Sequence, residues 1–564
     1  MDRRTTLALS LSFLLLIVYQ TYMELYVVTP PVETEQAAAK PETKGAEQKA
    51  TQKSASSTPP LPDATVAKGN ELQLAKAAPV APPAGEGAAE KRDDTLLSFA
   101  NGVANGKISL TGAQLVGLNF SKHLDKLPPD GKPIPFLHHA VQAKGADIFF
   151  GETGFLATPD VQTPGRKTIW TSKSREEVQG SGAVELAWEN GSGLRFEKQF
   201  VITPDSYLLT VRDRVINRTG KAVPLYAFAQ FVRTEPVPDP GQAMAPADFQ
   251  GPMGYLDKAR VQHLYEALRK QDQHLDASNG WVGFSDKYFL AALIPGEPDK
   301  LKRFYFDYDA PMYRVGTVSK QHTIEPGAEA SFESRLYIGP KEIRSLEKQG
   351  ISLERAIDYG WLHFLAVPLV DILLFFNDYM HNYGLAIIFL TILVKALFFP
   401  LADKSYRSMN AMKKLQPKME ELRQLYGDDK ARLNQEMMQL YQSNKVNPLG
   451  GCLPILVQIP VFFALYQVLY LSIEMRHAPF YLWIHDLSVQ DPYYVLPILM
   501  GISMVIQTKM NPAPADPIQA KVMLLLPVIF TFMFLSFPAG LVLYWLVNNI
   551  LSIAQQGYIM KKME

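Results

Sequence analysis

Apolar runs are concentrated towards the two ends of the chain, and a long segment of alternating apolar and polar positions lies between them. Runs of near-spanning length cover residues 7–28, 383–401, 453–471, 493–508, 522–537 and 541–558. A bilayer core needs roughly 20 apolar residues in a helix, so this pattern predicts six membrane spans. The predicted fold class is a polytopic α-helical membrane protein with a large domain outside the membrane.

Residues 95–345 are predicted to form that domain from β-strands. Alternation with a period of two runs through residues 183–188, 194–202, 207–215 and 330–337, and the turn at 190–193 makes the first two a hairpin. Such strands predict a large antiparallel sandwich. One good helical pattern interrupts it, at residues 257–270.

Three segments around this domain have other patterns. Residues 1–28 carry Arg3 and Arg4 before the apolar run and lack a small-residue cleavage site beside it, which predicts a retained anchor with a cytoplasmic N-terminus. Residues 29–94 are rich in Pro, Ala, Lys, Glu and Ser, which predicts a flexible linker on the far, non-cytoplasmic side of the membrane. In residues 346–382 charges interrupt the apolar positions, which favours an amphipathic helix on the membrane surface.

Residues 403–448 separate the second and third runs and are predicted to form a helical hairpin. Apolar side chains recur every three or four residues, and Gly427, Asp428 and Asp429 supply the turn. The segment holds nine Lys/Arg against six acidic residues, so the positive-inside rule predicts that it is cytoplasmic. Its candidate contact residues for a partner are Lys413, Lys414, Lys418 and Arg423. A solvated hairpin near the membrane explains these charges better than nucleic-acid binding.

Composition excludes several kinds of chemistry. The one cysteine, Cys452, allows no disulfide framework and no cysteine-based metal site. The histidines of the β-rich segment are scattered without metal-ligand spacing. We therefore expect no catalytic site, no metal and no cofactor.

The strongest candidate for function is Lys395, inside the run 383–401. A charge at membrane depth costs roughly 2.5–3.5 kcal/mol, which makes it a functional candidate. Alternatively, its side chain snorkels to the cytoplasmic end of the span, roughly 9 Å away. Further polar residues occur in the same or later spans: Thr391, Gln458, Ser503, Gln507, Tyr544, Asn548, Ser552 and Gln555. They either make ordinary interhelical hydrogen bonds or line a wet cavity with Lys395.

Three long motifs carry a resemblance to a known family. They are NPLGGCLPILVQIPVFFALYQVL from Asn447, APFYLWIHDLSVQDPYYVLPILMG from Ala478, and FPAGLVLYWLVNN from Phe537. In order and spacing they closely resemble the YidC membrane protein insertases of Gram-negative bacteria. The resemblance implies a periplasmic β-supersandwich similar to sugar-mutarotase folds, and a core at 383–564 with a hydrophilic groove open to the cytoplasm and to lipid.

The resemblance also implies roles for particular residues. Lys395 falls where the family has a positive groove residue, usually arginine; lysine keeps the charge but loses the bidentate fork. Thr391 and Tyr544 match groove positions, and Trp545 stands where the family often has tyrosine. The tail ends at Glu564 soon after the last span, which weakens a tail-mediated ribosome contact.

The function this implies is a membrane protein insertase and folding chaperone of the bacterial inner membrane, with both termini cytoplasmic. Expected partners are nascent membrane proteins, the Sec translocon with its accessory subunits, the lipid bilayer and the ribosome. Two alternatives remain: a solute transporter or channel using Lys395, and a membrane-tethered periplasmic enzyme or sugar binder. We see no repeated halves of the transporter kind, and several closely spaced spans exceed what a tether needs.

Overall fold

The computed structural model describes residues 96–563 except 140–147, 174–176, 237–248, 297–301, 428, 445, 447–452 and 512–516. The predicted anchor at 1–28, the linker at 29–94 and Cys452 lie outside the described residues. Two bodies of structure follow one another along the rest of the chain: a β-sandwich and then a set of helices.

Twenty strands in the described residues build the sandwich. In chain order they are β1 (Leu96–Ala100), β2 (Ala104–Ser109), β3 (Gln114–Leu124), β4 (Pro133–His139), β5 (Ile148–Ala157), β6 (Thr171–Ser172), β7 (Glu177–Gln179), β8 (Gly182–Glu189), β9 (Leu194–Ile202), β10 (Leu208–Asn217), β11 (Val223–Thr234), β12 (Gly251–Leu256), β13 (Ala259–Gln262), β14 (Gln273–Ala277), β15 (Gly280–Ser285), β16 (Phe289–Pro295), β17 (Lys302–Asp309), β18 (Met312–Val318), β19 (His322–Ile324) and β20 (Glu329–Pro340).

These strands form two sheets. The first has eleven strands in the order β14-β17-β18-β11-β5-β4-β3-β2-β1-β7, with β19 beside β11; the second has nine, in the order β13-β12-β15-β16-β20-β10-β9-β8-β6. Aromatic rings from the two sheets meet in the core, as Phe149 and Phe284 do at 5.6 Å between ring centroids. The predicted sandwich and its hairpin are confirmed, since β8 and β9 pair antiparallel.

The predicted helix at residues 257–270 is wrong over its first half. Residues 259–262 form strand β13, and only Tyr265–Lys270 is helical (α1). Asp257 and Lys258 both have positive φ and make a tight turn, which folds β13 back onto β12. Pairing with the sheet therefore outweighs the helical spacing of the apolar side chains.

The helices after the sandwich are, in chain order, α2 (Ile343–Glu347), α3 (His363–Met380), α4 (Tyr383–Leu397), α5 (Phe399–Tyr426), α6 (Lys430–Ser443), α7 (Leu453–Leu471), α8 (Val495–Met510), α9 (Pro517–Phe534) and α10 (Ala539–Met563). Three 3₁₀ turns lie at Leu353–Ala356, Gly360–Leu362 and Ile473–Met475. The single helix predicted for 346–382 is therefore shorter, because its first part is a series of turns beneath the second sheet. Trp281 of that sheet donates from its indole N–H to the Ser352 carbonyl at 3.2 Å.

Helices α4 and α5 form a bent pair. The helix expected to reach residue 401 ends at Leu397, and the axis turns by 65° at the break. Helix α5 continues to Tyr426 and is joined by a short turn to α6, whose first turn is capped by the Asp429 carboxylate. The Tyr441 hydroxyl of α6 lies 3.7 Å from the Met419 sulfur of α5. The two helices thus form an antiparallel hairpin.

Length and composition single out one membrane-crossing candidate in the described part of the chain, residues 360–380, with a mean hydropathy of 1.6. The bent pair α4–α5 qualifies as a second if it is counted as one span. Shorter apolar helices cover Val457–Leu471, Val495–Met510 and Lys521–Phe534. The six-span topology and the surface location of α3 stay predictions.

The sandwich packs directly on the helices. Trp281, Leu290 and Tyr337 of the second sheet share one apolar core with Tyr359 and with Leu469 of α7. An ion pair between Arg260 and Asp358, at 2.5 Å, reinforces the same junction.

Candidate functional site

Lys395 lies on α4 two residues before the helix ends, and its side chain is half-buried. Its Nζ donates a hydrogen bond to the Ser552 hydroxyl of α10 at 2.7 Å. The Gln555 amide of α10 donates to the Lys395 carbonyl at 3.4 Å. No carboxylate forms a salt bridge with this ammonium among the residues described. The charge is thus held by neutral polar groups.

A cavity of about 100 Å³ surrounds this ammonium. Its walls come from α4, α5, α7, α8 and α10, and the polar side chains that line it are Lys395, Ser405, Tyr406, Gln458, Gln507, Asn511, Ser552 and Gln555. A cavity of this size with several polar partners can hold a few water molecules. Water inside it would lower the cost of keeping a charge there.

Five of the polar residues singled out from the sequence line this cavity together: Lys395, Gln458, Gln507, Ser552 and Gln555. Asn548 is joined to them because its side-chain oxygen accepts a hydrogen bond from the Gln458 amide. Thr391 is buried one turn from Lys395 and donates to the Ile387 carbonyl of its own helix at 2.6 Å. It is therefore part of the helix packing and does not line the cavity.

Ser503 is also absent from the lining. Its hydroxyl donates to the Met500 carbonyl at 2.6 Å and accepts from the Asn549 amide at 3.0 Å. This pair ties α8 to α10 behind the cavity, which is the structural role that interhelical hydrogen bonds commonly have.

Tyr544 and Trp545 belong to an aromatic wall rather than to the cavity. The Trp545 ring stands perpendicular to Phe462 of α7 at 4.5 Å between centroids and lies 5.5 Å from Phe534 of α9. Tyr544 is buried and stacks on the other side of Phe462. An aromatic surface made by α7, α9 and α10 thus adjoins the polar cavity.

The hairpin residues chosen from the sequence lie elsewhere. Lys413, Lys414 and Lys418 are exposed on α5 and Arg423 is half-buried, while Leu415 and Met419 face inwards. These cations therefore form an outer face of the hairpin and do not reach the cavity.

Ser405, Tyr406 and Asn511 also line the cavity but were not among the polar positions singled out from the sequence. Ser552, by contrast, was visible as a polar position four residues after Asn548, on the same helical face. In the sequence, Tyr406 is one of the apolar positions that recur every three or four residues in the hairpin segment. The bend after Leu397 places its side chain in the lining of the cavity.

A β-sandwich seated on apolar helices that enclose a polar, positively charged cavity defines a membrane protein with a large extramembrane domain. Two family models match nearly the whole described chain: "YidC periplasmic domain" over residues 96–372, and "60Kd inner membrane protein" over residues 375–564.

Two named relatives support the same family assignment. The membrane protein insertase YidC of Magnetococcus marinus is 52% identical over 585 aligned positions, covering 100% of this chain and 99% of the relative. That of Methylobacillus flagellatus is 45% identical and covers 74% of this chain and 76% of its own. The chain belongs to the YidC family of membrane protein insertases. It is an inner-membrane protein whose β-sandwich is periplasmic.

Two solved structures have weaker likenesses. A crystal structure of an active YidC insertase is 18% identical with a TM-score of 0.36, covering 87% of this chain and 99% of that one. A galactose mutarotase-like protein from Lactobacillus casei is 11% identical with a TM-score of 0.30, over 43% of this chain and 99% of its own. Family membership rests on the sequence matches and favours the insertase prediction over the transporter or channel alternative.

Proposed function

We propose that this insertase receives the hydrophilic segment of a client membrane protein in the cavity beside Lys395. The observation that supports this most is the half-buried ammonium, which has polar neighbours and water-sized space around it. An ammonium that has no carboxylate partner among the described residues attracts an acidic client segment, because the two charges interact strongly at low dielectric.

The topology we propose has six spans. The anchor at 1–28 is the first span, and the other five are those predicted from residue 383 onwards. With this number of spans, both termini and the hairpin α5–α6 lie in the cytoplasm. The excess of Lys and Arg in residues 403–448 supports this orientation. In this arrangement the cavity lies near the cytoplasmic side, within reach of an arriving chain.

The cavity lowers the cost of moving a polar segment into the membrane. Transfer of an unpaired polar group into hydrocarbon costs several kcal/mol, and hydrogen-bonding partners such as Gln458 and Gln507 reduce that cost. The client's own apolar segment, roughly 20 residues long, supplies the driving force when it reaches lipid. The membrane potential also favours the outward movement of acidic residues. Each negative charge that crosses the membrane gains about 2.3 kcal/mol per 100 mV of potential.

The apolar segment leaves, in this proposal, between α7 and α9. The aromatic wall around Trp545 adjoins the cavity on that side. Beyond it α9 exposes Leu524 and Phe532, which are 70% and 69% exposed in the isolated chain and suit contact with lipid. In this proposal a client passes from the polar cavity along the aromatic wall to the apolar outer face of α9.

The partners follow from this role. Nascent inner-membrane proteins are the clients, and the chain acts alone or with the Sec translocon and its accessory subunits. The exposed cations Lys413, Lys414 and Lys418 are our candidate contact for a ribosome, whose surface is rich in phosphate. Neither ATP nor a cofactor enters the mechanism.

Reconstituted vesicles test the role of the charge. Lys395→Ala is expected to slow insertion of a short client with an acidic translocated tail severalfold, whereas Lys395→Arg preserves it because the charge is kept. Lys509→Ala, which removes an exposed lysine of α8 outside the cavity lining, is the matched control. Insertion by Lys395→Ala at the wild-type rate would show that the charge is not used.

A further inference from the structure

The Lys395 side chain can extend either towards the water outside the membrane or into the cavity. It stands two residues before the end of α4, and a long flexible lysine stem at such a place can extend towards the water outside the membrane. In the structure it turns inwards, and its ammonium donates to Ser552 at 2.7 Å, across 157 residues of sequence. The Ser552 hydroxyl therefore competes with solvent water as the hydrogen-bond acceptor for this ammonium.

The Ser552 hydroxyl is oriented to act as an acceptor. It donates its one proton to the Asn548 carbonyl at 2.7 Å, one turn back in α10. A serine hydroxyl has one proton and two lone pairs, so both lone pairs are left for incoming donors. The Lys395 ammonium of α4 is one such donor. The hydroxyl of Ser552, a residue that is only 3% exposed, thus joins α4 to α10 at the cavity.

This fixed acceptor matters more to lysine than it would to arginine. A guanidinium presents five N–H groups in a rigid plane, whereas an ammonium is a point charge on a freely rotating stem. One bond to Ser552 fixes the stem and leaves two N–H groups of the ammonium for a client carboxylate.

We infer that Ser552 is a positioning residue that holds the Lys395 ammonium inside the cavity, facing the acidic segment of a client. This inference rests on the proposed function of Lys395. Ser552 itself needs no contact with the client, since it acts through the lysine.

A matched pair of variants isolates the hydroxyl. Ser552→Thr keeps it, and a helical threonine makes the same bond to the carbonyl four residues back. Ser552→Val has the same shape without the hydroxyl, and Ser552→Ala repeats the deletion without added bulk. Thr531→Ala is the control, because Thr531 makes the same kind of bond, to the Pro527 carbonyl at 2.7 Å, outside the cavity lining.

The first measurement is the acylation rate of the Lys395 amine by a water-soluble N-hydroxysuccinimide ester, read by mass spectrometry on the full chain in lipid nanodiscs. The second is the ratio of insertion rates for an acidic-tailed and a neutral-tailed client in vesicles. We expect Ser552→Val and Ser552→Ala to raise the acylation rate and lower the insertion ratio severalfold. Ser552→Thr should match wild type in both.

Equal acylation in Ser552→Val, Ser552→Ala and Ser552→Thr would overturn the inference, because the ammonium would then be held without the hydroxyl. An unchanged insertion ratio in Ser552→Ala, while Lys395→Ala lowers it, would overturn it as well. If Lys395→Ala itself leaves the ratio unchanged, the proposed function fails instead, and the acylation rates still decide whether Ser552 positions the lysine.

Discussion

Glu474 makes the junction between the periplasmic sandwich and the helices sensitive to pH. It lies in the 3₁₀ turn after α7, where its Oε1 accepts a hydrogen bond from the Ile343 amide at 3.4 Å. Its Oε2 is buried without a hydrogen-bond partner among the described residues. Burial, with a smaller contribution from the neighbouring charge of Glu342, raises the pKa of Glu474 to about 7.

The size of the effect follows from linkage. A rise from the ordinary value of 4.5 to about 7 corresponds to a free energy on the order of 3 kcal/mol. The packed junction favours protonated Glu474, so its stability is greatest below pH 4.5 and falls as the pH rises from 4.5 to 7. Above pH 7 the carboxylate is ionised in both the packed and the open state, and the loss is complete.

Other titrating groups face the same junction. His123 lies 3.7 Å from Glu342, and burial lowers the pKa of His123. Its effect has the opposite sign, because a histidine held neutral costs stability as the pH falls. Tyr359, whose buried hydroxyl has no hydrogen-bond partner among the described residues, stays neutral through this range because burial raises the pKa of Tyr359.

Hydrogen exchange measures the effect directly. In nanodiscs, after correction for intrinsic exchange rates, the protection of the Ile343 amide should fall on the order of 100-fold between pH 4.5 and pH 8. Glu474→Gln should remove most of this dependence, whereas Glu347→Gln, an exposed acid of α2, should keep it. The same pH profile in wild type and Glu474→Gln would refute the reasoning.

Two further predictions concern packing. Asp213→Ala leaves the Lys198 ammonium, 1% exposed and 2.8 Å from the removed carboxylate, as a buried unpaired charge, which should cost about 3–5 kcal/mol in urea unfolding of the sandwich. Arg212→Ala breaks an exposed pair and should cost less than about 1 kcal/mol. Gly384→Ala would set a methyl carbon 2.1 Å from the Phe480 ring and should speed proteolysis of the loop after α7, whereas Gly557→Ala, with open space around it, should not.

The sandwich was predictable because its sequence pattern is local. Strand β9 alternates buried and half-buried positions along its whole length, as its period of two required. The helix prediction for residues 257–270 was wrong because helical spacing is also a local pattern. The strand pairing that decided the outcome depends on a turn at Asp257 and Lys258. The bend after Leu397 was missed although Pro400, in the first turn of α5, is a typical helix-start signal.

The site was predictable only in part. Lys395, Gln458 and Gln507 stood out because polar groups in apolar runs are costly, and all three line the cavity. Thr391 and Ser503 stood out equally but bond to backbone carbonyls of their own helices. Which polar residue bonds its own helix and which faces a neighbour depends on tertiary packing, which a sequence pattern does not contain.

The central claim is that a client's polar segment occupies the cavity beside Lys395. A photoreactive residue in place of Gln458, which lines the cavity, reports this directly when a client with an acidic tail is stalled during insertion. Leu524, exposed on α9, is the control position. We predict that the tail crosslinks to position 458 and not to position 524, and that Lys395→Ala reduces the crosslink severalfold. Crosslinking of the tail at position 524 with none at 458 would contradict the account.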